Sequence, residues 1–337
     1  MSAEILQKTN IDNEPQRERW LDCIRAMAMI FVVFGHHVPT GSNWYIYYVI
    51  TSPIKIPLFF AISGYLFKPE KYSFPEFIKK IARQLIIPWL ILGLLSAILG
   101  MIVAGSSFTD NVLKLISGTS YWYMPCCILA EIMFYFICKI KKTAIQFLVI
   151  VALFAAGLLT KDVTFMGYAM LNRAFTAQLY LFLGLFIKRH PEIFDMSKIW
   201  MAILAVVYAA LAILSILFFP GRDMDVHMMD YYFIPLNMAA VLSGVLLVFA
   251  LSAKLKLHSK VIEAIGKNTL VIYMLNAYPL SVFTKVCGIF GITFNDGFIS
   301  AILFTVISIF GSLLIALVLN KFLPEVVGKK RKKVSNA

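Results

Sequence analysis

The chain has 337 residues, of which 60% are hydrophobic and only 15% charged, with a mean hydropathy of +0.81. That composition excludes an ordinary soluble globular domain. The formal net charge of +13 would suit nucleic acid, but the basic residues are divided among short connections, so they read as topology signals and contacts to anionic lipid instead.

An apolar run that crosses a hydrocarbon core of about 30 Å needs roughly 20 residues. Ten such runs stand in the sequence, at 20–38, 44–67, 85–105, 121–138, 144–160, 168–187, 199–219, 232–251, 268–290 and 298–322. With the N-terminus inside, all lysines and arginines except Lys55, Lys114, Lys161, Arg173, Arg222 and Lys285 fall in the tails, the inner connections or the inner helix ends. Basic residues stay on the cytoplasmic side. The expected fold is therefore an all-α polytopic membrane protein, a bundle of about ten transmembrane helices with both termini cytoplasmic. A cytoplasmic tail at 1–19 and a basic tail at 323–337 flank a membrane domain at 20–322. The first 19 residues carry no apolar core or small-residue cleavage site of the signal-peptide kind, so the first span is expected to stay in the mature protein. Cys23, Cys126, Cys127, Cys138 and Cys287 show no CxxC spacing and read as packing residues rather than a disulfide framework or zinc site.

The first span, within RWLDCIRAMAMIFVVFGHH at 19–37, holds Arg25 and His36 eleven residues apart. Eleven steps of about 100° return to within about 20° of the start, so both lie on one helix face, about 16 Å apart along the axis. Arg25 sits shallow enough to snorkel to the inner phosphates. His36 lies toward the outer half and admits both hydrogen-bonded packing and a site role. His37 is turned about 100° away, so the two histidines are not expected to share a metal, and His37 reads as an outer-end interface residue.

The second span contains Pro53 and Pro57, which predict either a pocket-lining irregular segment or an ordinary kink. Ser63, in PLFFAISGYLF at 57–67, donates into a pocket or bonds back to its own helix. In the connection at 68–84, SFPE at 73–76 has the form of a capping box, and Phe74, Phe77, Ile78 and Ile81 share a face. A short helix on the inner surface follows, offering Lys79, Lys80 and Arg83 to lipid headgroups or to a bound phosphate. Glu131, in WYMPCCILAEIMFY at 122–135, is a mid-span carboxylate that asks for a partner or a function, with Arg25 and His36 as reasonable partners. Arg173, Trp122 and Tyr123 suit sugar binding or, for the aromatics, an interfacial belt. The connection PGRDMDVHMMDY at 220–231 gathers three aspartates and His227 without the ligand number that calcium needs, and reads as a solvated loop.

The opening stretch resembles the first helix of the acyltransferase 3 family of integral membrane acyltransferases, whose mark is an arginine, ten intervening residues and a histidine, here Arg25 and His36. PLFFAISGYLF is similar to the family's FFxxSG[FY] segment, and KKIARQLIIPWL at 79–90 to its basic stretch running into a proline. GKNTLVIYMLNAYPL at 266–280 is similar to its G-x-x-[ST]-L-x-I-Y-x-x-H segment, which brings in Tyr273. These segments, in order and over nearly the whole chain, point to the branch that acetylates sugars. Where the family has a late histidine this chain has Asn276, which can hydrogen-bond but carries no proton at neutral pH. Only an orienting role is expected there.

The resemblance implies a plasma-membrane O-acetyltransferase with acetyl-coenzyme A as acyl-donor substrate, no tightly bound cofactor, no metal, and a glycan or glycan precursor as acceptor. A sugar hydroxyl needs a base to become nucleophilic, and the oxyanion that follows needs donors. Histidine suits the first task, so His36 is implied as base, with Glu131 as second catalytic residue. Arg25, Lys79, Lys80 and Arg83 are implied on the phosphates of coenzyme A, and Ser63, Tyr123, Arg173, Tyr273 and Asn276 in the pocket. The other partners expected are membrane lipids and further copies of the chain, with no nucleic acid. A transporter or flippase of a lipid-linked saccharide would share the spans and buried polar groups, but calls for inverted halves that the sequence does not display.

Overall fold

The computed structural model describes residues 19–38, 44–168, 170–255 and 259–329, without the side chains of Met166 and Tyr168. Most of the two expected tails, with the KKRKK stretch beyond Lys329, lies outside the described residues.

Helices occupy all ten expected runs. They are α1 (Arg19–Gly35), α2 (Tyr45–Leu66), the amphipathic α3 (Phe74–Ile81) with α4 (Ile87–Ala104), and the short α5 (Phe108–Ile116). Next come α6 (Tyr123–Ile137), α7 (Thr143–Leu159), the short α8 (Thr164–Tyr168), α9 (Leu171–Arg189) and α10 (Lys198–Phe218). The remainder are α11 (Ile234–Leu255), α12 (Lys260–Lys267), α13 (Thr269–Leu275), α14 (Ala277–Ile289) and α15 (Phe298–Phe322).

By length and composition, five helices among the described residues are long and apolar enough to cross a membrane: Tyr45–Leu66, Phe74–Ala104, Lys198–Phe218, Ile234–Leu255 and Phe298–Phe322. The pair α13 and α14, bent by 50°, makes a sixth. The other expected spans are shorter, at 17, 15 and 17 residues for α1, α6 and α7, or more polar, as in α9, where Asn172, Thr176 and Gln178 are fully buried. The molecule is an all-α polytopic membrane bundle. The buried polar side chains of α9 are met by protein neighbours, because a polar group in hydrocarbon must find its partner inside the bundle.

Helix α1 is the hub, packed by α2, α11, α12, α13 and α15. Its Ile24, Ala26, Ala28 and Val33 are fully buried. It stops at Gly35, three residues before the expected end of the span. Helix ends leave their last carbonyls without intrahelical partners; here backbone N–H groups of residues 36–38 take those of Val33 and Phe34, and the Tyr48 hydroxyl of α2 takes Gly35 O at 2.6 Å, while the Tyr47 hydroxyl donates to Phe31 O one turn earlier.

Helix α2 runs unbroken through Pro53 and Pro57, so the irregular segment is not formed. Its inner half crosses α9 backbone to backbone. A Cβ on Gly64 would lie 1.9 Å from Leu181 O, and one on Gly184 would lie 1.8 Å from Ala61 O. Only glycine admits that approach, the small-residue device of membrane helix packing.

The break between α13 and α14 falls at Asn276. Pro279 offers no N–H to the carbonyl of Leu275, and the Asn276 amide donates to Ile272 O at 2.9 Å and Tyr273 O at 3.1 Å.

Candidate active site

Two cavities lie end to end along α1. The first, about 410 Å³, is lined by Val32, Gly35 and His36 from α1 and the turn after it, by Tyr48, Ser52, Lys55 and Ile56 from α2, by Trp122, Tyr123 and Tyr273, and by residues 223–227. The second, about 280 Å³, is lined by Arg25, Met29, Val32, Ile56, Phe59, Ile62, Ser63, Gln84, Leu85, Tyr123, Met124, Cys127, Thr269, Leu270, Tyr273 and Val327. Val32, Ile56, Tyr123 and Tyr273 belong to both linings. They form a wall, with Arg25 on one side and His36 on the other.

His36 sits in the turn that follows α1, its N–H donating to Val33 O at 3.1 Å. Its ring is exposed at the cavity and hydrogen-bonds to no side chain among the described residues, so its nitrogens are available to a substrate. His37 points elsewhere, its Nε2 3.1 Å from Ser308 Oγ and its ring against Phe304 of α15. Arg25 donates to the fully buried Asp22 at 3.0 Å and keeps 23% of its side chain exposed, toward the second cavity.

The wall is held by one backbone bond. The N–H of Tyr123 donates to the Tyr273 hydroxyl at 3.3 Å. A hydroxyl that accepts still has its own proton to donate, and no described residue takes it from Tyr273. The rings of Tyr123 and Tyr273 meet edge to face at 6.0 Å.

Ser63 lines the Arg25 cavity. Glu131 lies behind it: the Cys127 thiol reaches its Oε1 at 3.8 Å, and the Ser63 hydroxyl and Lys80 ammonium act on its carboxyl. Among the described residues those are its partners, and neither Arg25 nor His36 is one. Lys79 and Arg83 are exposed, and the Lys80 ammonium lies 5.6 Å from the Tyr72 ring and 5.9 Å from that of Phe77. None of the three lines the cavity. The chain turns there through a π-helical stretch, Ala82–Ile86, which presents Gln84 and Leu85 to it instead. The cap of α3 is formed as expected, with the N–H and hydroxyl of Ser73 both donating to Glu76 Oε2 at 2.9 and 2.8 Å. Asn276 lines neither cavity, since its amide is turned onto its own helix.

The connection at 220–231 is not the solvated loop expected. Asp225 and Asp230 pair backbone to backbone at 3.0 and 2.9 Å, and Met224, Val226 and Met229 are buried. Arg173 donates from Nε to His227 O at 2.6 Å, so it holds the loop rather than lining the cavity. The loop thereby roofs the His36 cavity. The His227 ring stacks on Trp122 at 4.7 Å, and Ser52 Oγ donates to Asp223 Oδ2 at 3.4 Å. Burial pushes the Asp223 carboxyl above the usual carboxylate range against the pull of Lys55. Burial, then the Arg173 guanidinium, holds His227 below the usual imidazole value.

Sequence reasoning did not find Lys55, Asp223, Ser52 and Tyr48. One signal was present: a lysine in the middle of an apolar span is costly enough to mark a site.

The family model described as an acyltransferase domain, that of the acyltransferase 3 family, matches residues 18–321. No match is found among curated proteins or solved structures. The matched stretch takes in the lining of both cavities except Val327, the wall between them and the arginine and histidine at their two ends. The chain belongs to the acyltransferase 3 family, and it is a multi-pass membrane acyltransferase.

Proposed function

We propose that the protein transfers an acetyl group from acetyl-coenzyme A to a hydroxyl of a cell-surface glycan or its precursor, and that it does so in the plasma membrane with the Arg25 cavity facing the cytoplasm. The observation that supports this is the pair of cavities sharing one wall, with Arg25 beyond it on one side and His36 on the other. Coenzyme A has a charged nucleotide at one end and a thin pantetheine arm at the other. Arg25 suits its phosphates, and the arm then runs toward the Tyr123–Tyr273 wall. The acceptor occupies the cavity roofed by 220–231.

In this reading the His36 imidazole takes the proton of the acceptor hydroxyl as its oxygen bonds to the acetyl carbon. The carbonyl oxygen becomes an oxyanion, for which the free proton of the Tyr273 hydroxyl is the available donor. Collapse breaks the carbon–sulfur bond, and the His36 imidazolium returns the proton to the departing thiolate. Ser63 borders the donor side, where it positions the arm rather than moves the proton, and Glu131 stands behind it. The test is labelled acetyl transfer from acetyl-coenzyme A to glycan in isolated membranes, comparing the native chain with His36→Ala. Transfer is expected in the first alone; equal transfer in both overturns the reading.

A further inference from the structure

The cavity beside His36 carries charges of both signs. Lys55 enters it from α2, and Asp223 and Asp225 from the loop that roofs it. The two carboxylates are the anionic groups that act on Lys55. Neither closes on it as a contact ion pair, since the pairs found among the described residues lie elsewhere. Space therefore remains between an ammonium that only donates and carboxylates that only accept. Behind the loop Arg173 is the second cation, committed to His227 O and facing Asp225. The remaining charges of the loop, Arg222 and Asp230, are exposed. Two cations thus balance two carboxylates around the cavity.

We propose that this cavity selects an uncharged, hydroxyl-rich sugar ring and rejects acidic and phosphorylated acceptors, an inference that rests on the glycan acetylation proposed above. A hydroxyl both accepts and donates. Set between Lys55 and Asp223, it accepts a hydrogen bond from the ammonium and donates one to the carboxylate, satisfying both. A carboxylate or phosphate in that place uses the lysine but has no proton for Asp223 or Asp225. It then meets two like charges where water is partly withdrawn and repulsion is stronger than in bulk. The stacked Trp122 and His227 supply the flat apolar face that a sugar's C–H groups need, an aromatic body beside polar partners. The Lys55 ammonium itself lies 4.8 Å from the Tyr48 ring, which holds it without neutralising it.

The experiment uses the full chain in lipid nanodiscs with labelled acetyl-coenzyme A. Its probes are the methyl glycosides of glucose, galactose and mannose, each matched with the methyl glycoside of its uronic acid. At least one neutral glycoside is expected to be acetylated about tenfold faster or more than its uronate, and Asp223→Asn is expected to narrow that ratio. A uronate acetylated as fast as its neutral partner, in a reaction that His36→Ala abolishes, overturns the inference while leaving the acyltransferase reading intact. Loss of that reading shows separately, as acetyl transfer or coenzyme A release that is indifferent to His36→Ala. Binding scores the selectivity without chemistry. Trp122 fluorescence, taken as the difference from Trp122→Phe, is expected to shift saturably with a neutral glycoside and not with its uronate; an equal shift with both, or with neither, overturns it.

Discussion

The backbone N–H of Tyr123 donates to the hydroxyl of Tyr273 at 3.3 Å, and these two side chains are the aromatic part of the wall between the cavities of Arg25 and His36. One comes from the start of α6 and the other from the bent span. The aromatic part of the wall thus joins two segments far apart in the chain, by this bond and by the edge-to-face contact of the two rings at 6.0 Å.

Tyr273→Phe keeps the ring and removes the donor. The expected result is a fall in kcat of about 10²-fold with little change in KM, the signature of an interaction made only in the transition state. A matching rise in KM with kcat preserved would assign Tyr273 to substrate binding instead. Steady-state kinetics with varied acetyl-coenzyme A reads the difference.

Arg25→Gln tests the donor side. Loss of a charge-assisted bond to phosphate, about 1.5–3 kcal/mol, is expected to raise the KM for acetyl-coenzyme A by about tenfold or more, with a smaller effect on kcat. Asp22 is fully buried beside Arg25, so glutamine, which can still donate to it, is a better probe than alanine. Unchanged coenzyme A affinity in the folded variant would remove the phosphate role.

His227 gives the roof of the His36 cavity a pH dependence. Burial holds its pKa below the ordinary value, so the neutral ring is the form the folded loop favours. A depressed pKa contributes stability above the unfolded value of about 6.5 and loses it as pH falls through the lower, folded value. The Trp122–His227 stack is thus expected to hold at pH 7 and to open on acidification below about 6.5. A titration of Trp122 fluorescence follows it, and His227→Gln should erase the transition.

Gly64→Ala and Gly184→Ala are expected to block the crossing of α2 on α9, since each new methyl group would meet a backbone carbonyl at under 2 Å. Neither backbone can yield cheaply, so the loss should exceed the 1–3 kcal/mol that overpacking commonly costs. Size-exclusion profiles of detergent-extracted protein should show aggregation for both variants, whereas Gly288→Ala, with nothing near the added atom, should match the native chain.

Asn276→Ala is expected to leave kcat within about threefold while lowering thermal stability by about 1 kcal/mol, the net worth of a typical hydrogen bond. Its amide donates to Ile272 and Tyr273 carbonyls, a task that steadies the bend and not the reacting atoms. A large drop in kcat at unchanged stability would instead place Asn276 in the chemistry.

Local pattern was enough for the helical class, the positions of the apolar helices and the cap at Ser73. Each of these follows from periodicity, hydropathy or spacing within one segment, and a helix preserves such relations wherever it docks. The partner of the Gly35 carbonyl at the end of α1 was not legible, because it is the hydroxyl of Tyr48 from the next helix. Nor were the partners of Glu131, which depend on how α6 faces α2 and α3. The roof of the His36 cavity was hidden for the same reason. Asp223 and His227 sit among polar residues that look solvated in one dimension, and they become a site only when Arg173 and Trp122, about fifty and a hundred residues earlier, draw the loop down. Segment composition therefore dictates which helices form and which face each side chain takes. Contacts between segments distant in the chain, unconstrained by any local rule, decide that Lys55, Asp223 and His36 open onto one space.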